Sequence, residues 1–432
     1  MRVLRVYHAG RDSSHRARER ALAAAGAEIT LVVPKRWEPT EPELEAEPVV
    51  ELVELEVARP GDVNRHRYKD DAALPKLIQR VQPDLLDIHE EPFSIAARQW
   101  LRAASPDLPT VMYTAQNIDK RFPPPFSTYE RRALARIAGL YPCSRQAASV
   151  ARGKGFSGLI DVIPLGFDPS SFRVGRQSLT DSELVLGLFG RLVPEKGVRD
   201  AVFILERLNS VRPARLLLVG SGPEGQASLA LAADLGLDRR VELSEWSLPE
   251  ELAEDYRRCH VVLVPSRATP TWAEQFGRVI VEAQACGAVV AGYASGTIPE
   301  VGGEAAIVVP EGCVDLLANA VLELTTDAAA WAKRRTLGEK PAATRTWERV
   351  AGQQLDLYRR VLSDPMHQVS LPRGRTARRK LAGREFGPPA TTPAGDRPFA
   401  VWPLRSGGRL ANALGRAIDL PDRIRSPLLP LE

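Results

Sequence analysis

Short apolar runs alternate along the chain with longer stretches in which apolar residues recur every three or four positions. In the first half Val3–Tyr7, Ile29–Val33, Val49–Val57, Leu85–His89, Thr110–Thr114, Leu140–Pro142 and Leu159–Ile163 read as strands. Leu184–Phe189, Arg215–Val219, Val241–Leu243, Val261–Val264, Ala288–Gly292 and Ala306–Val309 read the same way in the second. Helical periodicity fills the intervals, as in His15–Ala25, Ala73–Val81, Ser94–Ala104, Val198–Asn209, Gln226–Leu235 and Pro249–Cys259. Strands that are apolar on both faces belong to parallel sheets wrapped by helices. The segment Pro164–Arg176 interrupts this alternation with Pro, Gly and Ser and reads as a linker. The pattern therefore predicts an α/β chain of two Rossmann-like domains, with the cleft between them as the default ligand site. The expected boundaries are 1–168 for the first domain and 169–345 for the second. A closing helix over 346–364, strongest in Trp347–Leu362, precedes a Pro-, Gly- and Arg-rich tail, 365–432, in which Leu410–Leu420 has short amphipathic character.

A length of 432 residues fits two or three domains, and 44% apolar with 26% charged residues is the composition of a soluble globular protein. The formal charge of +4 gives no case for nucleic-acid binding. It is unevenly placed, however. From Pro365 onward twelve Lys and Arg face five Asp and Glu, a net of +7, which leaves −3 for the first 364 residues. Cys143, Cys259, Cys286 and Cys313 are widely spaced and form no CxxC pair, as expected of a reducing compartment without a zinc site. No window approaches the roughly 20 apolar residues of a membrane span, and the N-terminus opens directly on a strand-like run. The expectation is a cytoplasmic protein.

The densest chemistry lies in TWAEQFGRVIVEAQACG, Thr271–Gly287. Glu274 precedes a helix that Gly277 opens, and Glu282 lies within it. The free N–H groups of that first turn suit a phosphate, and carboxylates suit the hydroxyls of a sugar or ribose. Two solvated surface glutamates are the plainer alternative. A second constellation, LFGRLVPEKG, places Arg191 and Lys196 just beyond a strand that ends at Gly190, where two cations can neutralise a diphosphate. An ordinary basic turn is the alternative there. Gly220, Gly222 and Gly225 match the G-x-G-x-x-G spacing of a dinucleotide site, but Pro223 interrupts it and no acidic residue ends the following strand. A tight turn that lets backbone approach closely is the better reading.

The runs GRLVPEKG, LLLVGSGPEG, VVLVPSR, WAEQFGRVIVEAQACG and ASGTIPEVGG, in this order between Leu184 and Gly303, resemble the retaining GT-B glycosyltransferases of family four, the group 1 glycosyltransferases. TWERVAGQQLDLYRRVL resembles that family's closing helix, which crosses back onto the first domain. The resemblance implies a GT-B fold, with an acceptor-binding first domain and a nucleotide-sugar-binding second domain. It implies that a hexosyl group moves from a UDP- or GDP-sugar to a glycan or lipid-linked acceptor, with retention and without a metal or other cofactor, in envelope or exopolysaccharide synthesis. By the same resemblance Arg191 and Lys196 hold the diphosphate and Glu274 meets the donor sugar near the reacting centre. Phe276 and Gly277 contribute backbone contacts, Glu282 binds ribose, and Gly190, Ser295 and Gly296 border the donor. A GT-B phosphorylase or epimerase, or a silent sugar-binding subunit, are the competing readings.

The first half departs from the family's motifs. Its first loop, HAGRDSSHRARER, carries Gly10 alone where many members have a glycine pair. Gln116 and Asn117 stand where a histidine is often found. The acceptor-side candidates are therefore His89, Glu90, Gln116 and Asn117, with Glu91 beside them in DIHEEPFS. Of the scattered histidines His8, His15, His66, His260 and His367, only His8 and His15 lie in a loop that should face the cleft. RFPPPF reads as a rigid surface loop. The basic tail could make peripheral contact with an anionic membrane, since clustered cations gain roughly 1 kcal/mol each near such a surface. A solvated tail is the alternative.

Overall fold

The computed structural model describes residues 1–38, 43–179, 183–245 and 249–363. The expected tail, 365–432, its proposed membrane contact, the Leu410–Leu420 helix and His367 lie outside these residues. The described strands form two main sheets. The first contains β1 (Arg2–Val6), β2 (Glu28–Pro34), β3 (Glu51–Leu55), β6 (Leu85–Ile88), β7 (Thr110–Thr114), β8 (Gly139–Pro142) and β9 (Leu159–Ile160). All its pairings are parallel, in the order β3-β2-β1-β6-β7-β8-β9. Between β3 and β6 a small antiparallel ribbon joins β4 (Val57–Ala58) to β5 (Arg67–Tyr68). The second sheet contains β10 (Leu184–Phe189), β11 (Ala214–Val219), β12 (Val241–Ser244), β13 (Val261–Val264), β14 (Val289–Tyr293) and β15 (Ile307–Val309). It too is parallel, ordered β12-β11-β10-β13-β14-β15.

In each sheet the chain builds outward in one direction, returns to the middle and builds the other way. The reversal falls between β1 and β6 in the first sheet and between β10 and β13 in the second. Loops leaving the carboxyl ends of two such neighbours diverge, which opens a crevice.

The helices cover the sheets: α1 (Ala17–Ala24), α2 (Ala73–Val81), α3 (Ile95–Ala103), α4 (Phe126–Leu134) and α5 (Arg145–Gly153) in the first half. In the second half come α6 (Val198–Asn209), α7 (Pro223–Asp234), α8 (Pro249–Arg258), α9 (Arg278–Ala285), α10 (Ile298–Gly302), α11 (Val314–Thr326) and α12 (Ala328–Ala343), and α13 (Trp347–Ser363) closes the described chain. Local chemistry fixes several starts. Ser94 Oγ accepts from Ala97 N, and Ser144 Oγ from Ala147 N, at 3.1 Å each. Leu4 and Val6 of β1 point to one face of the first sheet and Val3 to the other, and all three are fully buried, as the unbroken apolar runs require.

Helix α13 returns to the first sheet, where Gln354 and Tyr358 donate to Asp87 of β6. Asp87 pairs with Arg5 of β1, which also pairs with Glu19 of α1 and donates to Tyr141 Oη at 3.1 Å. Burial opposes the charge of Arg5, but Asp87, Tyr141 and Glu19 outweigh it and raise its pKa further. Gly139 lets the helix sit close on β8: a Cβ there would lie 3.0 Å from Val361 Cγ2.

Three expectations about elements change. Val49–Val57 is not one strand but β3 and β4, because Leu55 O still accepts from Lys35 N in the main sheet while Glu56 O accepts from Lys69 N beyond the ribbon. The first helix starts at Ala17 rather than His15, since Asp12 accepts from Ser14 N and caps a separate 3-10 turn over Ser13–His15. Helix α12 was not among the expected elements. The segment Pro164–Arg176 carries no helix or strand, only the bridge of Phe167 to Thr346.

Candidate active site

The second sheet's reversal point gathers most of the chemistry. Beyond β10 the backbone turns at Gly190 (φ +119°), presents Arg191 and makes a 3-10 turn over Pro194–Lys196 before Gly197 (φ +68°) opens α6. Across the crevice, the loop after β13 carries Ser266, Trp272 and Glu274. Lys196 Nζ donates to Glu274 Oε2 at 2.7 Å and lies 5.2 Å from the Trp272 ring centroid. Ser266 Oγ donates to the same carboxylate oxygen at 3.0 Å. Arg191 is half-buried and has no side-chain hydrogen bond or ion pair among the described residues.

The Glu274 backbone is held as firmly as its side chain. Its carbonyl accepts from Thr297 N at 3.0 Å and Thr297 Oγ1 at 3.1 Å. Gly296, at φ +51°, lies against this peptide, and a Cβ there would run into Glu274 O and come within 2.8 Å of its N. Ser295 Oγ is buried with no partner among the described residues. Phe276 is buried, and Gly277 (φ +73°) opens α9 without a side-chain cap; Ile280 N donates to Gly277 O at 2.8 Å, which leaves the N–H groups of Arg278 and Val279 at the helix start to face an anion. One turn further on, Glu282 accepts from Tyr256 Oη at 2.9 Å and forms an ion pair with Arg278, whose Nε lies 3.1 Å from it. Burial and the Glu282 carboxylate hold the Tyr256 phenol protonated, and its ring stacks on Phe189 at 4.0 Å.

The GSGPEG glycines have a packing reason. A Cβ on Gly220 would strike Gly190 O and one on Gly222 would strike Leu192 O, while Glu224 N donates to Leu192 O at 2.9 Å. They allow this turn to lie against the Gly190–Leu192 backbone.

At the first sheet's carboxyl end the four acceptor-side candidates separate. His89 turns inward: its ring stacks on Tyr113 at 4.1 Å, and Nδ1 lies 3.1 Å from both Arg5 Nη2 and Tyr141 Oη. His89, expected as an acceptor-side candidate, is instead buried, because the side chain after β6 joins the Arg5–Asp87 network. Glu90 is buried against His8, whose backbone N and ring Nδ1 both reach its carboxylate at 2.9 Å. Gln116 binds inside its own half, donating to Glu91 at 3.1 Å and accepting from Lys154 at 2.8 Å. Asn117 alone crosses over: its Nδ2 donates to Glu274 O at 2.7 Å. Among the described residues no three His, Cys, Asp or Glu side chains converge as a metal site, and no helix is long and apolar enough to cross a membrane.

With this geometry in view, two family models account for the two halves. Residues 183–327 match the model described as Glycosyl transferases group 1, and residues 19–171 match Glycosyltransferase Family 4. The chain belongs to the group 1, family four glycosyltransferases. Among curated relatives, this chain is 35% identical over 219 residues to the D-inositol 3-phosphate glycosyltransferase of Stackebrandtia nassauensis, a match that covers 46% of this chain and 48% of that one. It is 33% identical over 220 residues to the protein of the same name from Mycobacteroides abscessus, covering 48% and 47%. The chain thus spans about half the length of the curated relatives it matches. The GT-B fold is shared with the sucrose-phosphate synthase of Thermosynechococcus elongatus, with a TM-score of 0.65 at 20% identity over 84% of this chain and 99% of that one. Anabaena HepE in complex with UDP and glucose gives 0.60 at 18% identity, over 83% and 99%.

The sequence pattern placed Lys196 and Glu274 in one crevice, where they meet directly. It missed Tyr256, Ser266, Trp272 and Thr297 as their supports. Ser266 and Trp272 flank Glu274 on one loop and carried a signal of position. Tyr256 lies in α8 and carried none.

Proposed function

We propose that this glycosyltransferase moves a hexosyl group from a UDP-sugar, or a GDP-sugar, to a glycan or lipid-linked acceptor in envelope or exopolysaccharide synthesis, with retention and without a metal. The observation that carries the reading is the 2.7 Å Lys196–Glu274 pair at the sheet's reversal point, together with the half-buried Arg191, whose side chain has no hydrogen bond or ion pair among the described residues. A diphosphate entering there meets Arg191, Lys196 and the N-terminus of α9, all of one sign, in a partly desolvated crevice. Lys196 then exchanges Glu274 for phosphate oxygens, which frees the Glu274 carboxylate to accept from a sugar hydroxyl. Phe276 and Gly277 lie where backbone borders sugar and phosphate. Gly190, Ser295 and Gly296 complete the border, and Glu282, steadied by Tyr256, accepts from the ribose. Anabaena HepE in complex with UDP-glucose supports the choice of UDP.

In the reaction the bond from C1 to the diphosphate oxygen breaks while the acceptor oxygen bonds to C1 on the same face. The acceptor's proton passes to the departing phosphate oxygen. Arg191 and Lys196 stabilise the negative charge that develops on the diphosphate, which is the electrostatic contribution this site can make. The test is to incubate the protein with UDP-glucose, UDP-galactose and GDP-mannose and follow the anomeric proton by NMR. Slow release of one nucleoside diphosphate, with the first-formed sugar retaining its configuration, is expected. Release from none of them, or an inverted first product, would sink the reading.

A further inference from the structure

We propose that Asn117 is a positioning residue for the transfer step: its side-chain amide, supplied by the first half of the chain, sets the Glu274 peptide and so aims the Glu274 carboxylate at the donor sugar. The inference rests on the reading of Glu274 as the residue that meets that sugar. It gives a first-half residue a part in the reaction other than acceptor binding.

The Glu274 carbonyl takes three donors, although its oxygen has two lone pairs. Thr297 N and Thr297 Oγ1 approach from the second half, at 3.0 Å and 3.1 Å. Asn117 Nδ2 approaches from the first half at 2.7 Å, the shortest of the three. Asn117 and Glu274 are both buried, so water competes little for this bond. Gly296 packs against the same peptide, where a Cβ would collide with the carbonyl oxygen. The carbonyl carbon is bonded to the Cα that bears the side chain. Fixing its oxygen from both halves therefore fixes the direction in which the carboxylate leaves the backbone, toward Lys196 at 2.7 Å and Ser266 at 3.0 Å.

Asn117 is itself delivered by a braced turn. The buried Glu91 carboxylate accepts from Thr114 Oγ1 and Ala115 N at 2.8 Å each and from Gln116 Nε2 at 3.1 Å. These bonds tie the end of β7 to the segment that follows β6. A second grip lies close in sequence to the first. Helix α5 presents Arg145 N and Gln146 N to the Glu300 carboxylate of α10, at 2.7 Å and 3.3 Å, while Ser144 Oγ caps Ala147 N. Glu300 follows Thr297 by one helical turn. Cys143 Sγ adds a weak bond to Gln275 O at 3.7 Å. The contacts from the first half thus converge on two short stretches, Glu274–Gln275 and Thr297–Glu300, which are themselves joined at the Glu274 carbonyl.

The test follows release of nucleoside diphosphate from UDP-glucose, UDP-galactose and GDP-mannose, with UDP affinity from calorimetry. Asn117→Ala should lower kcat about tenfold, the worth of one hydrogen bond, with KM no higher and UDP binding no weaker than in wild type. Weakened UDP binding would mean that the amide supports the crevice as a whole, and it counts against the proposal. Asn117→Asp keeps the shape but loses the amide donor, and it should slow turnover at least as much. Wild-type turnover in Asn117→Asp assigns the site to packing and overturns the proposal. In a Glu274→Gln background the added loss from Asn117→Ala should fall below about twofold, because no carboxylate remains to be aimed. An equal loss in both backgrounds also overturns it. Hydrogen exchange over Thr271–Gly287 reads the tether without turnover: Asn117→Ala should raise it several-fold, and unchanged exchange is a refutation. If Glu274→Gln turns over as fast as wild type, or wild type releases nothing, the donor reading fails instead, and the exchange measurement decides by itself whether Asn117 sets the Glu274 peptide.

Discussion

Replacing Glu274 should separate nucleotide binding from transfer. Glu274 occupies Lys196, the cation proposed to hold the diphosphate, so on that proposal the carboxylate competes with the nucleotide. The Lys196 side chain is 19% exposed and that of Glu274 8%, so solvent screens the pair only in part. A hydrogen bond to a charged group contributes about 1.5–3 kcal/mol. Taking the lower end for residual screening, releasing Lys196 should tighten UDP binding by about 1.5 kcal/mol, or about tenfold. The donor sugar loses its carboxylate partner at the same time, and misplacement on the scale of 1 Å lowers transfer by about 10²-fold. Glu274→Gln and Glu274→Ala should therefore both bind UDP more tightly by calorimetry while turning over UDP-sugar far more slowly. Glu274→Gln keeps the shape of the side chain and controls for a collapsed loop. If both variants bind UDP more weakly than wild type, Glu274 positions the nucleotide rather than competing for Lys196, and the reasoning is wrong.

Three further outcomes follow from the same geometry. Asp87→Ala leaves Arg5 without the partner that Gln354 and Tyr358 also share, and urea unfolding should show a loss of about 3–5 kcal/mol. Gly296→Ala sets a side chain at φ +51° against Glu274 O, and steady-state rates should fall about 10²-fold while far-UV dichroism is preserved. Burial raises the Glu91 pKa against its bonds to Ala115 N, Thr114 and Gln116, so the folded protein binds that proton more tightly than the unfolded chain. This contribution lowers stability as pH rises from the ordinary carboxylate range through the raised value, and it is absent below that range. Urea titrations across pH should show Glu91→Gln gaining on wild type at neutral pH and losing that advantage in acid.

The alternation of buried strands and helices was legible because a parallel strand covered on both faces leaves an unbroken apolar run, as in LVLGLF and VVLV. The α12 sequence AAAWAKRRTLGEKPAA mixes alanine and charge without a stripe, so periodicity did not reveal it. The crevice between β10 and β13 was legible because its residues fall within a motif order that resembles one family. The first half was not. His8, Glu90 and the near neighbours His66 and Tyr68 come from three separate stretches that only the β1–β6 neighbourhood and the β4–β5 ribbon bring together. His89 read as an acceptor-side candidate because it follows a strand, yet its side chain lies inward beside the buried Arg5. Gln116 and Asn117 are adjacent in sequence, and only the fold decides that Asn117 reaches Glu274 across the crevice.

The central claim is that the crevice between β10 and β13 binds a nucleoside diphosphate through Arg191. Calorimetric titration of UDP into wild-type protein and Arg191→Ala tests it directly, since among the described residues this side chain has no hydrogen bond or ion pair whose loss would confuse the result. One UDP per chain should bind the wild type, and Arg191→Ala should weaken that binding by roughly ten- to a hundredfold, the contribution of a charged hydrogen bond. Equal affinity in the two proteins, or no binding of UDP, GDP or ADP to the wild type, would contradict the assignment.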